Sequence, residues 1–130
     1  MPVAWDGSET GGFSDGKAWI KYNDFRHEVN AASDLADENG VYRFYQKLLS
    51  LRKSKRALSR GNFELIRNDE DGGVVYRRYI EGERDIFVVL NYSDKENAFD
   101  FSSYKGELLL SGYGDIPDVM RPFECLVFEK

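Results

Sequence analysis

The chain has 130 residues, 42% hydrophobic and 15% aromatic, and a net charge of −5. That suits one domain with a real core and excludes a disordered chain. An acidic surface repels phosphate backbones, so no nucleic-acid partner is expected. No apolar run approaches the roughly 18–20 residues of a membrane span, and no basic start leads into an apolar stretch. Neither a membrane nor a secretory route is expected, and the reading is cytoplasmic.

The first 32 or so residues show neither a helical nor a strand period. They hold Trp5, Phe13, Trp19, Tyr22 and Phe25, with glycines at 7, 11, 12 and 16. Loops longer than about 12–15 residues are uncommon inside compact domains and are usually functional. Exposed aromatic faces stack on sugar rings or partner surfaces, and buried ones anchor a loop to a core. Both readings stay open for this segment.

"SDLADE", residues 33–38, predicts one short helical turn, with Asp37 or Asn39 capping the helix that follows. "VYRFYQKLLSLRKSKRAL", residues 41–58, has the helical period. Val41, Phe44, Leu48 and Leu51 form one apolar stripe, widened by Tyr45, Leu49 and Leu58. Arg52, Lys53, Lys55 and Arg56 gather at its end, opposite the negative pole of the helix, and read as a solvated basic face.

From Gly61 the texture becomes β. "NFELIR" and "VVYRRYI" flank the turn cluster "NDEDGG". "DIFVVLNYS" places apolar residues on both parities and reads as a central strand. "NAFDF", "GELLLSG" and "FECLVFE" complete a set of about six to eight short strands, as in a sandwich or barrel. The expected fold is therefore mainly β: an antiparallel β-sandwich preceded by an irregular loop and one amphipathic helix.

Local motifs for chemistry are scarce. The only histidine is His27, and the only cysteine is Cys125 in the apolar run "ECLVF". No metal site, no disulfide and no Ser-His-Asp or Cys-His centre is expected from them. Cys125 reads as a buried structural thiol. "NDEDGG" lacks the closing glutamate of an EF-hand loop, and "GSETGG" and "GYGD" lack the phosphate-loop pattern, so all three read as turns. No cofactor is expected. The 23 acidic residues allow many carboxylate pairs, and composition selects none of them for glycoside hydrolysis.

The opening stretch resembles the end of the catalytic domain in α-glucosidases of glycoside hydrolase family 13, in the group of oligo-1,6-glucosidases, dextran glucosidases and trehalose-6-phosphate hydrolases. That pattern runs Arg-Thr-Pro-Met-Gln-Trp-Asp, then Gly-Phe, Trp-Ile and Asn. Pro2, Trp5, Asp6, Gly12, Phe13, Trp19, Ile20 and Asn23 match it, whereas Val3 and Ala4 replace Met-Gln. The helix resembles the last barrel helix, with Leu51, Arg52 and Lys53 as its Leu-Arg-Lys element. "VVLNYS" and "RPFECLVFE" resemble strands of the family's C-terminal β-domain.

The resemblance implies that residues 1–58 are the tail of a catalytic barrel and residues 59–130 a C-terminal antiparallel β-domain. It implies retaining hydrolysis of α-glucosidic bonds by a carboxylate set on earlier barrel strands. The third acid of that set follows a histidine in Asn-His-Asp, whereas Glu28 follows His27, so no catalytic residue is assigned here. Trp5 and Asp6 are expected at the substrate-pocket rim, and Trp5 and Trp19 as sugar-stacking residues if the chain is instead a glucan-binding module. The implied partner is the barrel. Without it, the stripe of Val41, Phe44, Leu48 and Leu51 predicts self-association, or packing of the N-terminal loop over the stripe.

Overall fold

A computed structural model describes residues 2–130. The chain divides into two compact units, Met1–Gln46 and Lys47–Lys130.

In the first unit a long loop leads into a short helix, α1 (Ala31–Ala36). Asn30 caps it reciprocally. Its side-chain oxygen accepts from the Ser33 amide at 2.9 Å, and the Ser33 hydroxyl oxygen accepts from the Asn30 amide at 3.2 Å. The loop is tied to this helix by its backbone, because the Ala31 and Ala32 amides donate to the Ala4 and Trp5 carbonyls at 2.9 Å each.

Helix α2 (Val41–Ser54) follows. Its cap is Asp34, not the predicted Asp37 or Asn39. The Asp34 carboxylate accepts from the Val41 amide at 2.9 Å and from the Tyr42 amide at 2.8 Å. A tight turn through Gly40 makes this possible. A Cβ there would lie 2.7 Å from the Asp34 carboxylate, so the cap and its glycine belong together. Asp37 instead closes α1, and its carboxylate accepts from the Asn39 amide. No residue of α2 is buried. Val41 is exposed, and Phe44, Leu48 and Leu51 are half-buried.

The helix predicted to run through residue 58 breaks at Lys55, whose φ of −106° and ψ of 114° are extended. A second short helix, α3 (Arg56–Arg60), takes over. The reason is tertiary. The Lys55 ammonium donates to both Glu129 carboxylate oxygens at 2.8 Å, a partner 74 residues away.

The second unit is built on one antiparallel sheet. Its strands are β1 (Asn62–Asn68), β2 (Gly73–Tyr79), β3 (Ile86–Asn91), β4 (Glu107–Ser111) and β5 (Cys125–Glu129), in the order β1-β2-β3-β5-β4. β3 is the central strand expected from its two-parity pattern, with Val89 buried on one face and Ile86 and Val88 on the other. Five strands form where six to eight were predicted, and the fold is mainly β as expected.

The main core lies on the Val89 face. Val75, Val89, Leu126 and Phe128 of the sheet meet Phe99, Phe101 and Met120 from the connecting segments. Burying such a side chain contributes about 1.5–3 kcal/mol each. "NAFDF" alternates as predicted, with Phe99 and Phe101 buried and Ala98 and Asp100 exposed, but it forms no strand. A single bridge, Asn97 to Met120, joins the two connecting segments that cover the sheet. Asn91, at the end of β3, holds that cover down. Its side-chain amide donates to the carbonyls of Lys95 at 2.7 Å, Arg121 at 2.8 Å and Met120 at 3.4 Å.

At the covering layer's end, Arg121 and the fully buried Glu124 pair closely. The Arg121 amide donates to the Glu124 carboxylate at 2.7 Å and the guanidinium donates to it at 2.5 Å. This pins Phe123, which adopts a φ of 52° and stays exposed. A bulky residue in that left-handed region costs about 1–2 kcal/mol.

Candidate functional site

The aromatic loop is shaped by small residues and hydrogen bonds. The Trp5 amide donates to the Gly11 carbonyl at 2.7 Å, closing a turn that brings Gly12 onto Asp6. Gly12 has φ of 63°, and a Cβ on it would lie 2.5 Å from Asp6 Oδ2, so only glycine fits. The Ser8 amide donates to Asp6 Oδ1 at 2.9 Å. The hydroxyl and amide of Ser8 hold the Asp6 carboxyl below the usual carboxylate range. Asp6 is therefore an ionised acceptor at neutral pH, and a weak proton donor.

Arg26, which no sequence motif singles out, and His27, for which no metal or catalytic role is expected, fasten this turn from behind. The Arg26 guanidinium donates to the Glu9 and Asn23 carbonyls at 3.0 and 3.2 Å and pairs with the Glu9 carboxylate at 3.1 Å. His27 Nδ1 lies 2.7 Å from the Gly7 carbonyl oxygen. The reach from 26–27 back to 7–9 has no signature in a local pattern. Beside it, Lys21 donates to Asp24 at 2.7 Å and holds its carboxyl below the ordinary range.

A cavity of about 440 Å³ opens on this loop, walled by Val3, Phe13, Trp19, Ile20 and Tyr22 among others. Trp19 is 95% exposed, so its ring is free to stack on a ligand or a partner. Trp5 is 56% exposed but is not among the cavity's lining residues. Of the two tryptophans expected to stack on sugar, only Trp19 stands at this cavity. Asp6 is in the adjoining turn.

Among the described residues, no three His, Cys, Asp or Glu side chains come together as a metal-ligand cluster, and no helix is long and apolar enough to cross a membrane. Cys125 is half-buried. Burial first, and the Glu124 carboxylate second, push its thiol up to about 11. It is protonated at neutral pH, which matches a structural thiol and not a nucleophile.

The family model for the α-amylase catalytic domain matches residues 1–61. An oligo-1,6-glucosidase from Heyndrickxia coagulans is 33% identical over 98% of this chain and 23% of its own length. A trehalose-6-phosphate hydrolase from Bacillus subtilis (strain 168) is also 33% identical, over 98% of this chain and 24% of its own. Among solved structures, the trehalose-6-phosphate hydrolase of Bacillus licheniformis superposes with a TM-score of 0.87 at 29% identity, covering 99% of this chain and 25% of that one. A trehalulose synthase superposes with a TM-score of 0.88 at 28% identity, over 99% and 25%. The chain thus spans about a quarter of the length of the curated relatives it matches.

Proposed function

The chain belongs with the C-terminal portion of the glycoside hydrolase family 13 α-glucosidases, and on that premise we propose that it serves as scaffold for an enzyme that hydrolyses α-glucosidic bonds in oligosaccharides. One observation carries this reading: nearly the whole chain aligns with enzymes that are about four times longer. Such hydrolysis needs two carboxyl groups about 5–5.5 Å apart. No residue of this chain is assigned to that pair, and the chain by itself is inactive.

We read residues 1–58 as the tail of the barrel and residues 59–130 as the C-terminal β-domain. The catalytic-domain match over 1–61 supports that boundary, while the division into compact units falls earlier, within α2. The barrel is the partner. Trp5 and Asp6 belong at its pocket rim, where an ionised Asp6 accepts from a sugar hydroxyl. The apolar stripe Val41, Phe44, Leu48 and Leu51 rests on the barrel and drives self-association when the barrel is missing. A cytoplasmic, carbohydrate-metabolising role follows.

The test is complementation. The chain alone gives no turnover of p-nitrophenyl α-glucoside, and mixing it with the remaining part of the Heyndrickxia coagulans enzyme restores activity. Turnover by the purified chain alone overturns the scaffold role.

A second reading, a non-catalytic glucan-binding module, is favoured by the near-complete exposure of Trp19 beside an aromatic cavity. Calorimetric heat with malto- or isomalto-oligosaccharides, lost in Trp19→Ala, distinguishes it.

A further inference from the structure

The β-unit carries a second cavity, of about 460 Å³, that the reading above does not use. Its walls are two turns: residues 70–72, between β1 and β2, and residues 92–98, after β3. They are fixed to each other. The Tyr92 amide donates to the Gly72 carbonyl at 2.8 Å, and the Asn97 side-chain amide donates to the Asp71 carbonyl at 3.2 Å. Gly72 has φ of 91°, and a Cβ on it would sit 3.0 Å from Ser93 Cβ, so the turns touch only because it is glycine. Asn97 is 6% exposed and is a buried amide in the cavity wall. Asn91 clamps the Lys95 carbonyl from below. The cavity is therefore built into the fold.

Its surface has two textures. Tyr92, the residue after β3, is 81% exposed. The strained, exposed Phe123 is tied to the residue after Tyr92, its amide donating to the Ser93 carbonyl at 3.0 Å. Glu70, Asp94 and Glu96 supply carboxylates, and among the described residues none of the three has an ion-pair partner. The acids are not grouped closely enough to be a metal cluster. An open aromatic face beside unpaired hydrogen-bond acceptors matches a sugar ring, which offers C–H groups on one face and hydroxyl donors around its rim.

We propose that the cavity beside Tyr92 binds one glucose ring of an α-glucoside, with the ring face on Tyr92 and its hydroxyls donating to Glu70, Asp94 and Glu96. The site is separate from the Trp19 cavity and holds substrate without cleaving it. The choice of an α-glucoside rests on the α-glucosidase reading, whereas the site's geometry does not.

The 130-residue chain, ¹⁵N-labelled, is titrated with isomaltotriose, with maltotriose and, in a separate arm, with a short Lys/Arg peptide. Sugar moves the amide signals of residues 70–72 and 92–98, with a dissociation constant on the order of millimolar. Tyr92→Ala weakens binding at least about tenfold, or 1.4 kcal/mol, whereas Tyr92→Phe retains it. No shifts with either sugar, shifts confined to residues 13–22, shifts with the peptide alone, or full binding by Tyr92→Ala each overturn the proposal. Shifts at Tyr92 from a chain that fails to complement the barrel keep this site and remove the scaffold reading. Complementation without sugar shifts removes only this site.

Discussion

Asn91→Ala tests how the covering layer is held on the sheet. Asn91 is 2% exposed, and its amide makes two good hydrogen bonds, to Lys95 and Arg121, and a longer one to Met120. Each good bond contributes roughly 1 kcal/mol, and each buried carbonyl left without a donor costs about 1–3 kcal/mol more. Some of these carbonyls regain water, so a loss of about 2–4 kcal/mol is expected. For a unit of this size each kcal/mol moves Tm by about 4–8 °C, giving a fall of roughly 8–32 °C. Asn91→Asp falls further, because a carboxylate would face three carbonyl oxygens. Both tryptophans, Trp5 and Trp19, lie outside residues 47–130. Urea unfolding of the β-unit is therefore followed by tyrosine fluorescence and circular dichroism, and tryptophan emission reports on the other unit. The exposed Tyr92→Ala is the control, expected within about 0.5 kcal/mol. If Asn91→Ala matches that control, the covering segments do not depend on Asn91, and the reasoning fails.

Asp34→Ala removes the carboxylate that accepts from the Val41 and Tyr42 amides, so α2 should fray at its start and lose about 1 kcal/mol, read as reduced amide protection of residues 41–44. Ser8→Ala should raise the NMR titration midpoint of Asp6 toward the free-aspartate value, because Ser8 is what lowers it. The depressed Asp6 midpoint favours the folded turn above the free-aspartate pKa, and that contribution is lost as pH falls through the folded midpoint. Cys125 runs the other way. Its thiol is raised from 9.0 to about 11, so the folded unit's stability should be intact below pH 9 and decline as pH rises toward 11, and labelling by a thiol reagent should be slow at pH 8.

Much of the β-unit is legible because its signals are local. Val88 and Val89 lie on opposite parities of β3, and both are buried, which is the mark of a central strand. Phe99 and Phe101 also alternate, but alternation measures burial and not pairing. Their segment packs on the sheet by side chains, with one bridge at Asn97. The break at Lys55 could not be read from its neighbours, since residues 51–58 are good helix formers and the deciding carboxylate is Glu129. In the aromatic loop the residue types pointed to Trp5 and Trp19 and the family resemblance to Asp6, while the fastening by Arg26 and His27 depended on contacts of long sequence separation. The cavity beside Tyr92 was hidden because its two turns are ordinary turn sequences until the fold pins them together.

The strand order has a consequence for how this unit is made. β5, the last strand in the chain, lies between β3 and β4 and contributes Leu126 and Phe128 to the core. During synthesis β1, β2 and β3 can pair as they emerge, but β4 has no neighbour until residues 125–129 leave the ribosome. Closure is therefore late and non-local, which makes it slow, and it leaves β3 with an open apolar edge in the meantime. A nascent chain stalled before Cys125 would be the species that chaperones must protect.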